Sequence, residues 1–226
     1  MQAVRYLDFS GVFSRTDMLA SATILTMQIS VMAMAFALAI GVVGAILLLS
    51  RMRIIRFLVL SYVEAIRNTP FIVQVFLIYF GLPVLGLHLT PLPAAVLAMS
   101  IYGGAYTSEI IRAGIESIAK NQIEAGRSLG MSPSQIFRYI VLKPAVSAVF
   151  PSLISQFILL LLSSSVVSAI SVPELTGIGN DIQGMTLRNM EIYLVIAVVY
   201  VSLVAVLKGG FALLERVLFP FKFLGR

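Results

Sequence analysis

The residues able to carry chemistry in this chain lie mostly inside or beside long apolar runs, where each one needs a physical reason. A charged side chain at the centre of a bilayer costs about 2.5–3.5 kcal/mol on insertion scales. Glu109 and Arg112 stand at i, i+3 and can neutralise each other as a structural ion pair, and Glu64 and Arg67 repeat that spacing. Arg67 is followed by Asn68, Thr69 and Pro70, with Gln74 one turn further on. Pro70 removes a backbone donor and biases the residues before it away from regular helix. At membrane depth such a break is tolerated only when buried in protein or lining a watery cavity. Arg67, Asn68, Thr69 and Gln74 are therefore either the wall of a polar path or a packed proline kink. Ser163, Ser164 and Ser165, with Ser168, also admit two readings: close helix packing, or a further stretch of the same wall. None of this is catalytic chemistry. No His-Glu-x-x-His, nucleophile elbow, paired aspartates or Gly-rich run ending in Gly-Lys-Ser/Thr is present, cysteine is absent, and His88 stands alone among Leu and Pro. No catalytic residue, metal site or resident cofactor is expected.

The elements that must position these residues are membrane helices. Of the 226 residues, 59% are hydrophobic and 12% charged, against about 25% charged in soluble domains, and the mean hydropathy is +1.01. A helix needs about 20 apolar residues to cross the hydrocarbon core. Five stretches meet that length: Met18–Leu49, Phe57–Phe80, Pro91–Ile111, Ala145–Ile170 and Ile192–Phe211. The expectation is an all-α membrane protein with five transmembrane helices in a single domain, 1–226. Asp8 and Asp17 ahead of an over-long apolar run do not suit a cleavable signal peptide. Basic residues divide unevenly between the two sides. Arg51, Arg53, Arg56, Arg112, Lys120, Arg127, Arg138, Lys143, Lys208, Arg216, Lys222 and Arg226 fall on one side, and Arg5, Arg15 and Arg188 on the other. Positive-inside then puts the N-terminus outside and the C-terminus in the cytoplasm, and it accounts for the net charge of +6 without nucleic acid.

The long loop 112–144 is amphipathic. Ile115, Ile118, Ile123 and Leu129 recur at roughly helical spacing among Glu116, Lys120, Glu124 and Arg127, which predicts one helix over Ile115–Leu129. Gly130 is placed to end it, and Ser132 with Pro133 to cap and begin another. From the residues alone, an interfacial helix without a partner and a helix that docks into a partner's groove are equally good readings. The outer segment with Glu174 and Asp181 is either an ordinary solvated loop or a face for a soluble binding protein.

The loop resembles the permease subunits of bacterial ATP-binding-cassette importers, in their polar-amino-acid branch. Their signature is Glu-Ala-Ala, three residues, Gly, nine residues, Ile, one residue, Leu-Pro. This chain has Glu124, Ala125, Gly126, then Gly130, then Ile140 and Leu142 at that spacing. YTSEIIRAGIESIAKNQIEAGRSLGM (106–131), NTPFIVQVFLIYFGLP (68–83) and TILTMQIS (23–30) are similar to the same branch. Departures are Gly126 for the second Ala, Lys143 for the Pro, and Leu162–Ser163 where many relatives carry Lys-Asp. The resemblance implies a MetI-like permease fold and ATPase coupling through Glu124, Ala125, Gly126, Gly130, Ile118 and Leu129. It also implies an ATPase dimer carrying ATP and Mg, a second permease subunit that is either the same chain or a paralogue, and an extracytoplasmic solute-binding protein. The solute would be a polar amino acid or an opine, and the chain itself would have no nucleotide site. A channel or secondary transporter is the alternative, but five spans lack the inverted repeat a self-contained transporter shows.

Overall fold

The computed structural model describes residues 7–220, and among them every regular element is helical. Arg5, Lys222 and Arg226, used above to orient the chain, lie outside the described residues. A short helix α1 (Ser10–Phe13) leads into α2 (Thr16–Leu48), 33 residues long. Next come α3 (Arg53–Arg67) and α4 (Phe71–Phe76), the latter continued by a π turn at Leu77–Gly81 and a 3-10 turn at Leu82–Leu85. The central helix α5 spans Pro91–Glu116. The hairpin that follows contains α6 (Lys120–Ser128) and α7 (Pro133–Gln135), and a π-helical segment, Ile136–Leu142, leads from it into α8 (Lys143–Ser163). A 3-10 stretch (Ser164–Ile170), α9 (Leu175–Thr186) and α10 (Asn189–Leu218) complete the fold.

Three helical stretches are long and apolar enough to cross a membrane: Thr16–Leu48, Pro133–Ile170 and Asn189–Leu218. A fourth arises if Arg53–Arg67 and Phe71–Leu85, bent by 111°, are counted together. The sequence led us to expect one irregular span over Phe57–Phe80; the bend at Pro70 divides it into two helices of different direction. α5 is less apolar because it is built for protein neighbours. Its buried face runs through Ala94, Ala95, Ala98, Gly103, Gly104, Ala105, Thr107 and Ser108, small residues that let backbones approach closely.

α5 packs most extensively on α2, then on α8 and α3. At the α2–α5 contact a Cβ on Gly41 would overlap Thr107, one on Gly44 would overlap Ser108, and one on Gly103 would lie 2.9 Å from Ala37 Cβ. Around this contact Ile29, Met99, Leu160, Leu161, Ile170, Leu175 and Ile182 form the fully enclosed core.

The segment with Glu174 and Asp181 proves to be a helix packed on one face and not a loop. α9 buries Leu175, Gly179 and Ile182, and Glu174 at its start is inaccessible to solvent, so Glu174 cannot meet a soluble partner. Asp181 is exposed. Nearby, Arg188 Nη2 pairs with Asp8 Oδ2 at 2.8 Å, and the Asp8 amide donates to Glu191 Oε1 at 3.1 Å, fastening the N-terminal segment to the start of α10. The Ser10 hydroxyl and amide, donating to Asp8, hold its carboxyl below the usual carboxylate range.

The packing makes a paired prediction. Gly41→Val should destabilise the protein by about 1–3 kcal/mol through overpacking, because the Thr107 backbone leaves no room to shift. Gly209→Ala on α10, where a Cβ meets nothing, should leave stability unchanged or raised. The midpoint of thermal aggregation in detergent checks both; equal behaviour of the two variants would refute the close contact.

Candidate functional site

Two regions gather the polar residues: the break between α3 and α4, and the hairpin after α5. At the break, Pro70 has no N–H, so the Ile66 carbonyl loses its helical donor. Gln74 replaces it: Nε2 donates to Ile66 O at 2.8 Å, to Thr69 O at 3.2 Å and to Thr69 Oγ1 at 2.9 Å. The neighbouring carbonyls are also met by side chains, Ala65 O by Thr69 Oγ1 (2.9 Å) and Glu64 O by Asn68 Nδ2 (2.8 Å). Gln74 is buried, and its Oε1 has no hydrogen-bond partner among the described residues. Arg67, Asn68 and Thr69 are exposed on the other side.

The expected pairing of Glu64 with Arg67 does not form. Glu64 Oε2 accepts from Asn68 Nδ2 at 2.9 Å, and the Arg67 guanidinium lies 5.4 Å from the centre of the Tyr106 ring. A cation over an aromatic face is held by the ring quadrupole, which leaves the guanidinium donors free for something outside the chain. α4 packs against the Ser164–Ile170 segment, so the break and the serine run occupy adjacent elements. Ser163 is half-buried, and Ser164 is fully buried and turned toward the Tyr200 hydroxyl. Ser165 and Ser168 spend their hydroxyls on the carbonyls of Leu162 and Ser165.

At the C-terminal end of α5, Arg112 bridges two carboxylates: Nη2 to Glu109 Oε2 at 2.7 Å and Nη1 to Glu116 Oε2 at 2.5 Å. This ties the last turns of α5 together before the chain leaves it. The hairpin differs from the single helix expected over Ile115–Leu129. Ile115 belongs to α5, a turn at 117–119 carries Ile118, and α6 starts anew at Lys120. Glu124, Ala125, Arg127 and Ser128 are exposed along α6, and Leu129 beyond it is 81% exposed.

Gly130 follows with φ of 74°. Its N–H bonds to Arg127 O at 2.9 Å and the Met131 N–H bonds to Gly126 O at 3.1 Å, the paired bonds of a Schellman ending. Ser132 then forms a capping box with Gln135 (Ser132 N to Gln135 Oε1, 2.8 Å). Gly126 has a packing reason, since a Cβ there would lie 2.5 Å from Ile140 Cδ1 and 3.3 Å from Ile136 Cγ1. The apolar side of α6 therefore faces its own hairpin, and its polar side and Leu129 face outward. The π-helical turn ends just before Lys143 and Pro144, widening the helix where the Pro144 ring would meet the carbonyl of Ile140. The chain consequently enters α8 without a break despite Lys143 standing in place of the signature proline.

Sequence reasoning named Glu174 as a surface residue and missed its structural role. Its Oε1 accepts from Gly177 N at 2.7 Å and its Oε2 from the Tyr200 hydroxyl at 2.9 Å, so it caps α9 and joins it to α10. Thr26 Oγ1 accepts from Leu175 N at 2.9 Å and joins the same helix start to α2. An acidic residue beside a proline and ahead of an apolar run was the available signal. Among the described residues no group of His, Cys, Asp or Glu could hold a metal ion.

The break carries a double-mutant test. Gln74→Leu should cost about 1–3 kcal/mol by stranding the Ile66 and Thr69 carbonyls. Adding Pro70→Ala restores a backbone N–H for Ile66 and should recover part of the loss in the same thermal assay. Additive losses would show that Gln74 does not replace the missing donor.

The model for "Binding-protein-dependent transport system inner membrane component" matches residues 37–219. The glutamine transport system permease protein GlnP of Escherichia coli (strain K12) is 35% identical over 211 residues, covering 92% of this chain and 96% of that protein. The nopaline transport system permease protein NocM of Agrobacterium fabrum (strain C58) is 33% identical over 224 residues, 95% and 93% of the two chains. A solved structure of an amino acid ABC transporter with histidines superposes with a TM-score of 0.87 at 34% identity, covering 94% of this chain and 99% of that one. With the family model spanning most of its length and an all-helical fold to match, this chain belongs to the inner membrane components of binding-protein-dependent transport systems.

Proposed function

We propose that this protein is the permease subunit of an ABC importer for polar amino acids or related solutes such as opines. The names of its glutamine and nopaline relatives support that solute class. Five crossings are made by α2, α4 with its continuation, α5, α8 and α10, with the N-terminus outside and the C-terminus in the cytoplasm. The basic turn at Arg51 and Arg53 and the basic hairpin support this orientation.

The observation that carries the reading is the α6 hairpin. It holds its own core with Gly126 against Ile140, and turns Glu124, Ala125 and Leu129 away from the bundle. An exposed, pre-formed helix presented this way suits the groove of a partner. That partner is an ATPase dimer, which carries ATP and Mg and supplies the energy. Two copies of the permease, or this chain and a paralogue, enclose the path, and a solute-binding protein delivers from outside. Arg67, Asn68 and Thr69, exposed beside buried Gln74, line the path together with half-buried Ser163, whereas Ser164, expected on the same wall, is fully enclosed and packs inside the bundle. Charged and polar side chains that the single chain leaves uncovered need protein or water as a neighbour rather than lipid.

Glu124→Lys should reduce co-purification of the ATPase at least tenfold while membrane insertion stays normal. Undiminished association would sink the docking role. Proteoliposomes holding the assembled transporter should accumulate radiolabelled glutamine or nopaline when ATP is supplied; uptake of neither would refute the solute class without touching the docking role.

A further inference from the structure

We infer that α3 lies flat in the inner membrane interface and that Arg51, Arg53 and Arg56 hold anionic phospholipid headgroups there. A helix rising from the inner turn would meet α5 residues ever nearer Pro91, the outer end of α5. It does not. Tyr62 Oη donates to Ile101 O at 2.7 Å, Val63 packs with Ala105 and Leu48, and Arg67 stacks on Tyr106, which is further inward than Ile101. The climb begins only after the 111° bend, where the Phe71 ring lies 4.8 Å from that of Tyr102. α3 therefore stays level, beside Leu48 at the end of α2 and the Ile101–Tyr106 stretch of α5.

Its sequence fits that placement. At 100° per residue, Val59, Tyr62, Val63 and Ile66 form the face against the protein, and they are buried or half-buried. Ile54 and Leu58, 75% and 61% exposed, form an adjacent apolar face, with Ala65 on the same line. Arg53, Arg56, Glu64 and Arg67 form a third, exposed and charged, interrupted by Leu60. An apolar face in the acyl boundary and a basic face toward water describe an in-plane helix.

Arg51, Arg53 and Arg56 are exposed and take part in none of the ion pairs seen among the described residues. Guanidinium forks match phosphate oxygens, and clusters of basic residues on such a helix bind anionic lipid at the cytoplasmic surface. The occupant is thus the phosphate of an inner-leaflet anionic phospholipid, a placement that rests on the orientation proposed above.

The absence of cysteine makes the test direct. Ile54→Cys and Ala65→Cys, in the full chain reconstituted in nanodiscs, carry spin labels at opposite ends of one face. Equal depths are expected, whereas a spanning helix would separate them by about 16 Å. A label at position 54 immobilised by protein, out of reach of lipid, would instead place a second copy there and overturn the proposal. In native mass spectrometry the wild type should retain phosphatidylglycerol at least fivefold more than Arg53→Gln/Arg56→Gln, with phosphatidylcholine unchanged. Equal retention overturns the headgroup site. Membrane-impermeant maleimide on Arg53→Cys should react in inverted vesicles and not in intact cells. The opposite result refutes the orientation alone, because the depth comparison does not depend on which side is inside.

Discussion

A backbone carbonyl stripped of its donor inside a membrane protein has to find another, and Pro70 creates that problem at Ile66. The answer, the Gln74 side chain reaching back at 2.8 Å, fixes how far α4 can swing from α3 and so sets the 111° bend between them. Gln74 is buried while Asn68 and Thr69 beside it are exposed, so on the enclosed side of the break the donor comes from within the chain. The same demand recurs where the chain turns from the 3-10 stretch Ser164–Ile170 into α9. There the start of α9 has free N–H groups, and Thr26 and Glu174 satisfy two of them from α2 and from α9 itself. Both interruptions are thus closed by side chains of the chain itself, which satisfy the exposed backbone groups without unravelling the helices beside them.

The α6 hairpin solves a different problem, stiffness without bulk. α6 is only 9 residues long, well below the length at which an isolated helix holds together in water. It is held by its ends and by one close contact: the Schellman turn at Gly130, the capping box of Ser132 and Gln135, and Ile140 lying in the space that a side chain at position 126 would fill. A force applied at Glu124 or Leu129 is therefore delivered to the π-helical turn and on into α8. Arg112, gripping Glu109 and Glu116, stiffens the other limb of the hairpin.

What could be read from the sequence was what local chemistry determines. Gly130 and Ser132 announce a helix end and a helix start because their roles need no distant partner, and Pro70 announces a break for the same reason. The loop signature and apolar runs were enough for the all-helical permease class. The misreadings came where tertiary contacts decide. Apolar spacing from Ile115 to Leu129 fitted one helix, yet the turn at 117–119 breaks it so that α6 can lie on Ile136 and Ile140. Glu64 and Arg67 have pairing distance in sequence, but Asn68 and the Tyr106 ring compete successfully for them. The glycines of 174–186 looked like loop, and Gly179 turned out to be the place where Ile196 presses against α9.

The close fit of α2 on α5 also governs how the protein is made. Chain growth runs at about 5–20 residues per second, and α2 is complete well before α5 begins. During that interval its glycine face has no partner. α2 can wait because it is apolar on all sides and rests in lipid as readily as in protein. α5, with tyrosines, glycines, Thr107 and Ser108 along its length, has no such independence. Its place in the bilayer depends on the groove that α2 keeps open, so a long helix made early serves as the docking strip for a less apolar one made later.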